Sequence, residues 1–230
     1  MQCRPSPRET TAAVENHRDI LGSEENLYSQ HGEELVIRDF FQDRRNGVFL
    51  DVGCAWPVAY NNTYYLEKEL GWTGIGVDGL PDYEFRWGRR RPNSKFFNFI
   101  VTDHSDTVES FHRAVEKRFL GVSQIEQSNP GHPKVEYEEI QVPTITLSQL
   151  LERNGISKID LLSMDIEGAE ELALAGFEIE RFQPDLAVIE VRGATREPVM
   201  EYFRSHGYQR IEKYLAFDPV NYYFTRDPER

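Results

Sequence analysis

Five acids and one glycine stand where a ligand site at strand ends needs them. Asp51 closes the apolar run Val48-Phe49-Leu50 and leads to Gly53, then small Cys54 and Ala55. A second run, Gly74 to Val77, ends on Asp78. A glycine bend after one strand and an acid closing the next is a Rossmann-type layout. The glycine lets backbone approach the ligand, and the acid takes ribose hydroxyls. Asp165 follows the apolar run IDLLSM and opens Asp165-Ile166-Glu167-Gly168, while Glu190 closes LAVIE. Acids at neighbouring strand tips can take a proton from a substrate hydroxyl, which makes Asp165, Glu190 and Glu167 the catalytic candidates. Asp165 and Glu190 could instead hold a divalent cation such as Mg²⁺ through oxygen ligands. The competing assignment is capping, with Asp165 or Glu167 satisfying N–H groups at the start of a following helix. Glu170 and Glu171 read as solvated helix positions.

The loop reads D-V-G-C-A-W-P and lacks the later glycines of a dinucleotide fingerprint. That argues against a pyrophosphate on the helix N-terminus. A phosphate-free cofactor such as S-adenosylmethionine tolerates the looser loop. Arg86, Arg89, Arg90 and Arg91 form a cluster that either binds an anionic substrate or is solvated surface. Trp56 either packs or borders the ligand. His31 and His104 fall near predicted strand ends, but no histidine pair has metal-site spacing. Ser163 lacks a nucleophile elbow, and there is no P-loop.

Elements that position these residues alternate along the chain. The spacing predicts a helix over 32–43, with Ser29 as its cap, a strand over 47–52, a helix over 62–70 and a strand over 73–78. A third strand, 96–101, ends at Thr102-Asp103. Val108, Phe111, Val115 and Phe119 recur at spacings of three and four, which predicts a helix over 106–119. The polar stretch 121–133 reads as a binding loop or lid, and 135–142 as an extra strand. Helices at 147–153, 169–175 and 197–207 alternate with strands at 158–164 and 186–191, and late strands at 208–216 and 221–225 finish the chain. The pattern predicts an α/β fold, a mostly parallel sheet with helices on both faces and antiparallel C-terminal edge strands.

Composition bounds the function. At 230 residues and 39% hydrophobic content, one domain is expected, over 25–230, after a flexible polar arm at 1–24. The net charge of −13 argues against general nucleic-acid binding. No apolar run is long enough to span a membrane, and no signal core precedes the domain, so the cytoplasm is the expected address. Cys3 and Cys54 form no disulfide framework.

The ordered pieces YSQHGEE (28–34), FLDVGCAWP (49–57), NNTYYLEKELGWTGIGVD (61–78), TITLSQLL (144–151), IDLLSMDIEGAE (159–170) and RFQPDLAVIE (181–190) resemble the FkbM family of S-adenosylmethionine-dependent methyltransferases. The resemblance implies a class I methyltransferase (Rossmann-like) fold and methyl transfer to a hydroxyl of a sugar, glycan or natural product. By match to those motifs, Asp51, Gly53 and Cys54 border the methionine part of the cofactor, with Gln30 and Asn62 near it. Asp78 binds the ribose, Thr102 and Asp103 lie by the adenine, and Asp165 faces the transferred methyl. The partner is then a small-molecule or glycan acceptor, and a homo-oligomer is left open. Trp56-Pro57 departs from the family's small residues and motivates the alternative of a cofactor-shaped scaffold without turnover. A peptide acceptor is a further alternative, and a nicotinamide oxidoreductase a distant one.

Overall fold

The structure, a computed structural model, describes residues 17–116, 120–121, 123–125 and 135–227. The elements run α1 (Ile20–Ser23), α2 (Glu33–Phe41), β1 (Val48–Val52), α3 (Tyr64–Leu70), β2 (Thr73–Asp78), α4 (Glu84–Arg90), β3 (Ser94–Asn98), β4 (Ile100–Val101), β5 (Val108–Ala114) and β6 (Gln124–Ile125). They continue with β7 (Tyr137–Ile145), α5 (Leu147–Arg153), β8 (Leu161–Met164), α6 (Glu170–Ala175), α7 (Ile179–Phe182), β9 (Leu186–Glu190), α8 (Arg196–Ser205), β10 (Gln209–Arg210), α9 (Glu212–Leu215) and β11 (Asn221–Thr225).

The main sheet has the order β10-β11-β9-β8-β1-β2-β3. Its centre is parallel, from β9 through β8, β1 and β2 to β3, while β11 and β10 run antiparallel at one edge. Successive residues of the central strands feed opposite faces, as a period of two requires. Leu50, Leu162, Ala187 and Ile189 pack with Leu150, Ala173, Phe182 and Phe203, which places α5 to α8 on one face. Phe49, Leu161, Leu186 and Val188 pack with Val36, Phe40, Leu66 and Tyr214, which places α2, α3 and α9 on the other. The expected mostly parallel α/β architecture, with helices on both faces and antiparallel edge strands, is the observed one.

Two local expectations give way. Residues 108–114 are a strand, not a helix: β5 pairs antiparallel with β7 from Val108↔Pro143 to Ala114↔Tyr137 and with β6 on its other side. Val108 and Val115, two residues of the expected apolar face, are exposed, so cross-strand pairing outweighed a helical spacing that buries little. Phe119 and most of the 121–133 loop lie outside the described residues. The late segment 208–216 is strand only at Gln209–Arg210, after which α9 buries Tyr214.

The N-terminal pieces are more tightly held than their polarity suggests. Asp19 caps α1, whose Ile20 is fully buried, so packed chain begins before the expected end of the arm; residues 1–16 lie outside the described residues. The cap of α2 is Gly32 in a left-handed conformation, not Ser29. Ser29 Oγ accepts from the Glu34 N–H, and buried Glu34 accepts from the N–H groups of Leu27 and Tyr28.

Candidate active site and cofactor cleft

The carboxyl ends of β1, β2 and β8 open into one cleft with two lobes that meet at Gly53 and Asp165. Gly53 has φ +73°, and a Cβ there would sit 1.8 Å from the Asp165 carbonyl oxygen. Only glycine lets the tips of β1 and β8 come this close. The larger lobe opens toward the ends of β2 and β4. Asp78 stands at its polar end, and Tyr83, Phe99, Ile100, Val101 and Phe111 supply apolar wall. The second lobe gathers Gln30, Asp51, Gly53, Cys54, Asn62 and Asp165, six of the residues singled out in the sequence. It adds Glu33, Tyr60 and Asn61, which sequence reasoning missed. The doublet Asn61-Asn62 was the available signal.

Asp78 accepts from the Ala55 N–H at 3.0 Å and the Leu80 N–H at 2.8 Å, which ties the β1 loop to the end of β2. Burial pushes its pKa up to about 6 against those two donors, with Asp51 and Asp165 adding negative charge. Asp51 is buried and accepts from Thr63 Oγ1 at 2.7 Å and Asn61 Nδ2 at 3.2 Å. Burial raises its pKa as well.

Behind Asp51 lies Arg91, which sequence reading grouped with a surface arginine cluster. It is fully buried instead. Its guanidinium donates to Glu67 Oε2 at 2.5 Å, Asn61 Oδ1 at 3.0 Å, Thr63 Oγ1 at 2.9 Å and the Pro57 carbonyl at 3.3 Å. It therefore fixes the two side chains that hold Asp51.

Glu190, Glu167 and Asp165 form the acidic end of the site. Arg192, just past β9, reaches Glu167 Oε2 and Glu190 Oε1, each at 2.5 Å. The sequence signal for it was a cation two residues after an acid at a strand end. With every carboxylate ionised, Glu190 Oε2 is buried without a donor. A proton on Glu190 itself removes that buried, unpartnered charge. Burial, then the Asp165 charge, push the Glu190 pKa up to about 9, and the same two causes push Glu167 up to about 7.

These two groups set a stability trend. Both folded-state values lie above the unfolded carboxylate range of about 4.3, so the folded protein keeps protons that the unfolded chain releases. Their contribution is full below that range and is lost as pH rises through about 7 and then about 9. Melting temperature is expected to fall between pH 6 and pH 9, and Glu190→Gln to flatten the upper part of that decline. An unchanged slope in the variant, followed by calorimetry, overturns the proton assigned to Glu190.

Three expectations are corrected here. The capping role weighed for Asp165 or Glu167 is filled by no side chain: Ala169 stands at the cap of α6, and buried Glu170 accepts from the Ile166 and Gly168 N–H groups of the loop before it. Thr102 and Asp103 do not line the cleft: Thr102 is buried in a hydrogen bond to Asp103, and Asp103 pairs with His104 at the surface. Phe99 to Val101, just before them, form the wall. The cation weighed at Asp165 and Glu190 finds no support, since Arg192 occupies one side of Glu190. Among the described residues no three Asp, Glu, His or Cys side chains converge at metal-ligand spacing. Cys54 stays a thiol, its pKa raised well above the usual value by burial. Trp56 lies edge-on to Tyr83 and lines neither lobe, so the Trp56-Pro57 departure leaves the cleft wall intact.

Among the described residues no helix is long and apolar enough to cross a membrane. Solved structures similar to the chain include a TehB-like SAM-dependent methyltransferase from Corynebacterium glutamicum (17% identity, 90% of this chain and 91% of that one, TM-score 0.46). A precorrin-6y C5,15-methyltransferase from Geobacter metallireducens is another (10% identity, 87% and 89%, TM-score 0.45). A third is a putative ribosomal RNA methyltransferase from Plasmodium falciparum (12% identity, 86% and 96%, TM-score 0.44). A comparison with curated proteins finds no match. The methyltransferase FkbM domain model matches residues 46–210, the stretch that holds all five parallel strands of the main sheet and most of the cleft lining, and the chain belongs to that methyltransferase family.

Proposed function

We propose that the protein transfers a methyl group from S-adenosylmethionine to a hydroxyl of a small-molecule or glycan acceptor. The observation that carries this is the two-lobed cleft meeting at Gly53 and Asp165. Its donor set fits the cofactor. The apolar wall of Phe99 to Val101 and Phe111 suits a purine, and Asp78 beside it suits the ribose diol. At the other lobe Asp51, Glu33 and Asp165 bring negative charge to a ligand that carries a sulfonium and an ammonium. Bound there, S-adenosylmethionine supplies an activated, electrophilic methyl group.

The chain's own work is alignment and proton transfer. Asp165 stands where the lobes meet and accepts the acceptor hydroxyl's proton. Glu190, protonated, donates to Asp165 and holds its carboxylate in place. Arg192 balances the charge of Glu167 and donates to the carbonyl oxygen of protonated Glu190.

Calorimetry tests cofactor binding. Micromolar S-adenosylmethionine is expected to bind at pH 8 and to weaken about tenfold per pH unit below the Asp78 value of about 6, since binding then costs a deprotonation. Asp78→Asn is expected to weaken binding by roughly 10- to 100-fold, the range for a hydrogen bond to a charged group. Absence of heat at high cofactor concentration favours the scaffold alternative. Mass spectrometry of an acceptor screen, with a gain of one methyl on oxygen, on nitrogen or on a peptide, decides the acceptor class.

A further inference from the structure

The loop that separates the cleft from solvent has a second side. Residues 56–59 form one wall of a groove, and Phe85, Arg86, Arg89 and Arg90 of α4 form the other. The three arginines are spaced three and four apart and so share one face of the helix. Among the described residues none of them makes an ion pair, although the chain carries a net charge of −13. Side-by-side guanidinium groups repel one another, so an anion between them is favourable. Arg86 stacks over Trp56 at 4.4 Å, and Arg89 lies over Phe85 at 5.5 Å. Stacking holds a guanidinium by its face and leaves its N–H edge free for a carboxylate or phosphate. Phe85 is 72% exposed and offers an apolar surface beside those edges.

The groove wall is built into the cleft. Trp87 Nε1 donates to the Ala55 carbonyl at 2.8 Å, and Arg91 donates to the Pro57 carbonyl. Ala55 and Tyr83, which bracket Trp56, line the large lobe, and Tyr60, one residue past the groove wall, lines the other. The groove and the cleft are therefore the two sides of a single loop, which runs from Ala55 in one lobe to Tyr60 in the other.

We propose that this groove anchors an anionic group, phosphate or carboxylate, carried by the methyl acceptor, with Phe85 beneath the adjoining ring or apolar face. The inference rests on the methyltransferase reading for the word acceptor; the anion subsite itself does not.

Trp56 is the natural reporter, because Trp72 and Trp87 are buried. Its fluorescence is followed in titrations with inorganic phosphate, glucose 6-phosphate, glucuronate and glucose. The phosphate or carboxylate sugars are expected to give saturable changes that weaken with salt, and glucose none. The stronger of the two charged sugars names the anion. The double variant Arg89→Ala/Arg90→Ala is expected to lose at least tenfold in that affinity while S-adenosylmethionine affinity by calorimetry is unchanged. An equal response to glucose, an unaffected double variant, or tighter binding of a short single-stranded RNA than of either charged sugar overturns the proposal. Sugar binding with no cofactor binding sinks the methyltransferase reading and leaves the subsite standing.

Discussion

Asp165→Asn is expected to lower kcat by about 10²- to 10⁴-fold, the usual contribution of a positioned general base. Cofactor affinity should stay within a few-fold of the parent. Asparagine keeps the shape and the backbone contact with Gly53 but accepts no proton at neutral pH. Asp165 is the acid at the junction of the two lobes, and it makes no capping hydrogen bond to α6. Glu190→Gln is the companion variant. If Glu190 acts as a protonated donor, the amide replaces it and turnover stays within about tenfold, since one net hydrogen bond is worth about 1 kcal/mol. Single-turnover kinetics with saturating cofactor separates the two residues. Full turnover in Asp165→Asn would remove the base role and leave alignment as the chain's contribution.

Arg91→Ala is expected to cost about 3–5 kcal/mol, because breaking a buried pair strands the surviving charge. For a chain of this length that is a fall in melting temperature of roughly 6–20 °C. The stranded group is Glu67, which is buried and also accepts from the Asn93 N–H and Ser94 Oγ. The same substitution releases Asn61 and Thr63, so Asp51 loses its orientation and cofactor affinity should fall even in the folded fraction. Thermal denaturation with and without S-adenosylmethionine reads both effects. A loss below 1 kcal/mol would place Arg91 at the surface, where its neighbours Arg86, Arg89 and Arg90 stand.

Much of the architecture was legible because it is written locally. Apolar runs ending on Asp78, Asp165 and Glu190 mark strand tips, since a strand buried on both faces rarely runs on through a charge, and Asp51 stands one residue before the end of β1. Gly71 and Gly176 mark helix ends in the same way, each following the last helical residue. The 106–119 segment was misread because an apolar spacing of three and four does not show whether the face it makes will be covered. Here β7 offered a hydrogen-bonding edge, and β5 took it.

The placing of Gln30, Asp51, Gly53, Asn62, Asp78 and Asp165 around one cleft followed from motif order on a parallel sheet, whose strand tips share an edge. Their partners did not. Whether Glu170 turns inward to the loop N–H groups, whether Arg91 points inward while Arg86, Arg89 and Arg90 stay out, and whether Arg192 closes over Glu190 depend on which partners the packed fold brings together. Local sequence sets where a residue lies along a strand or helix, because backbone periodicity is short-ranged. Tertiary packing alone sets which charges meet and which are buried, because desolvation and hydrogen-bond satisfaction are settled between elements far apart in the chain.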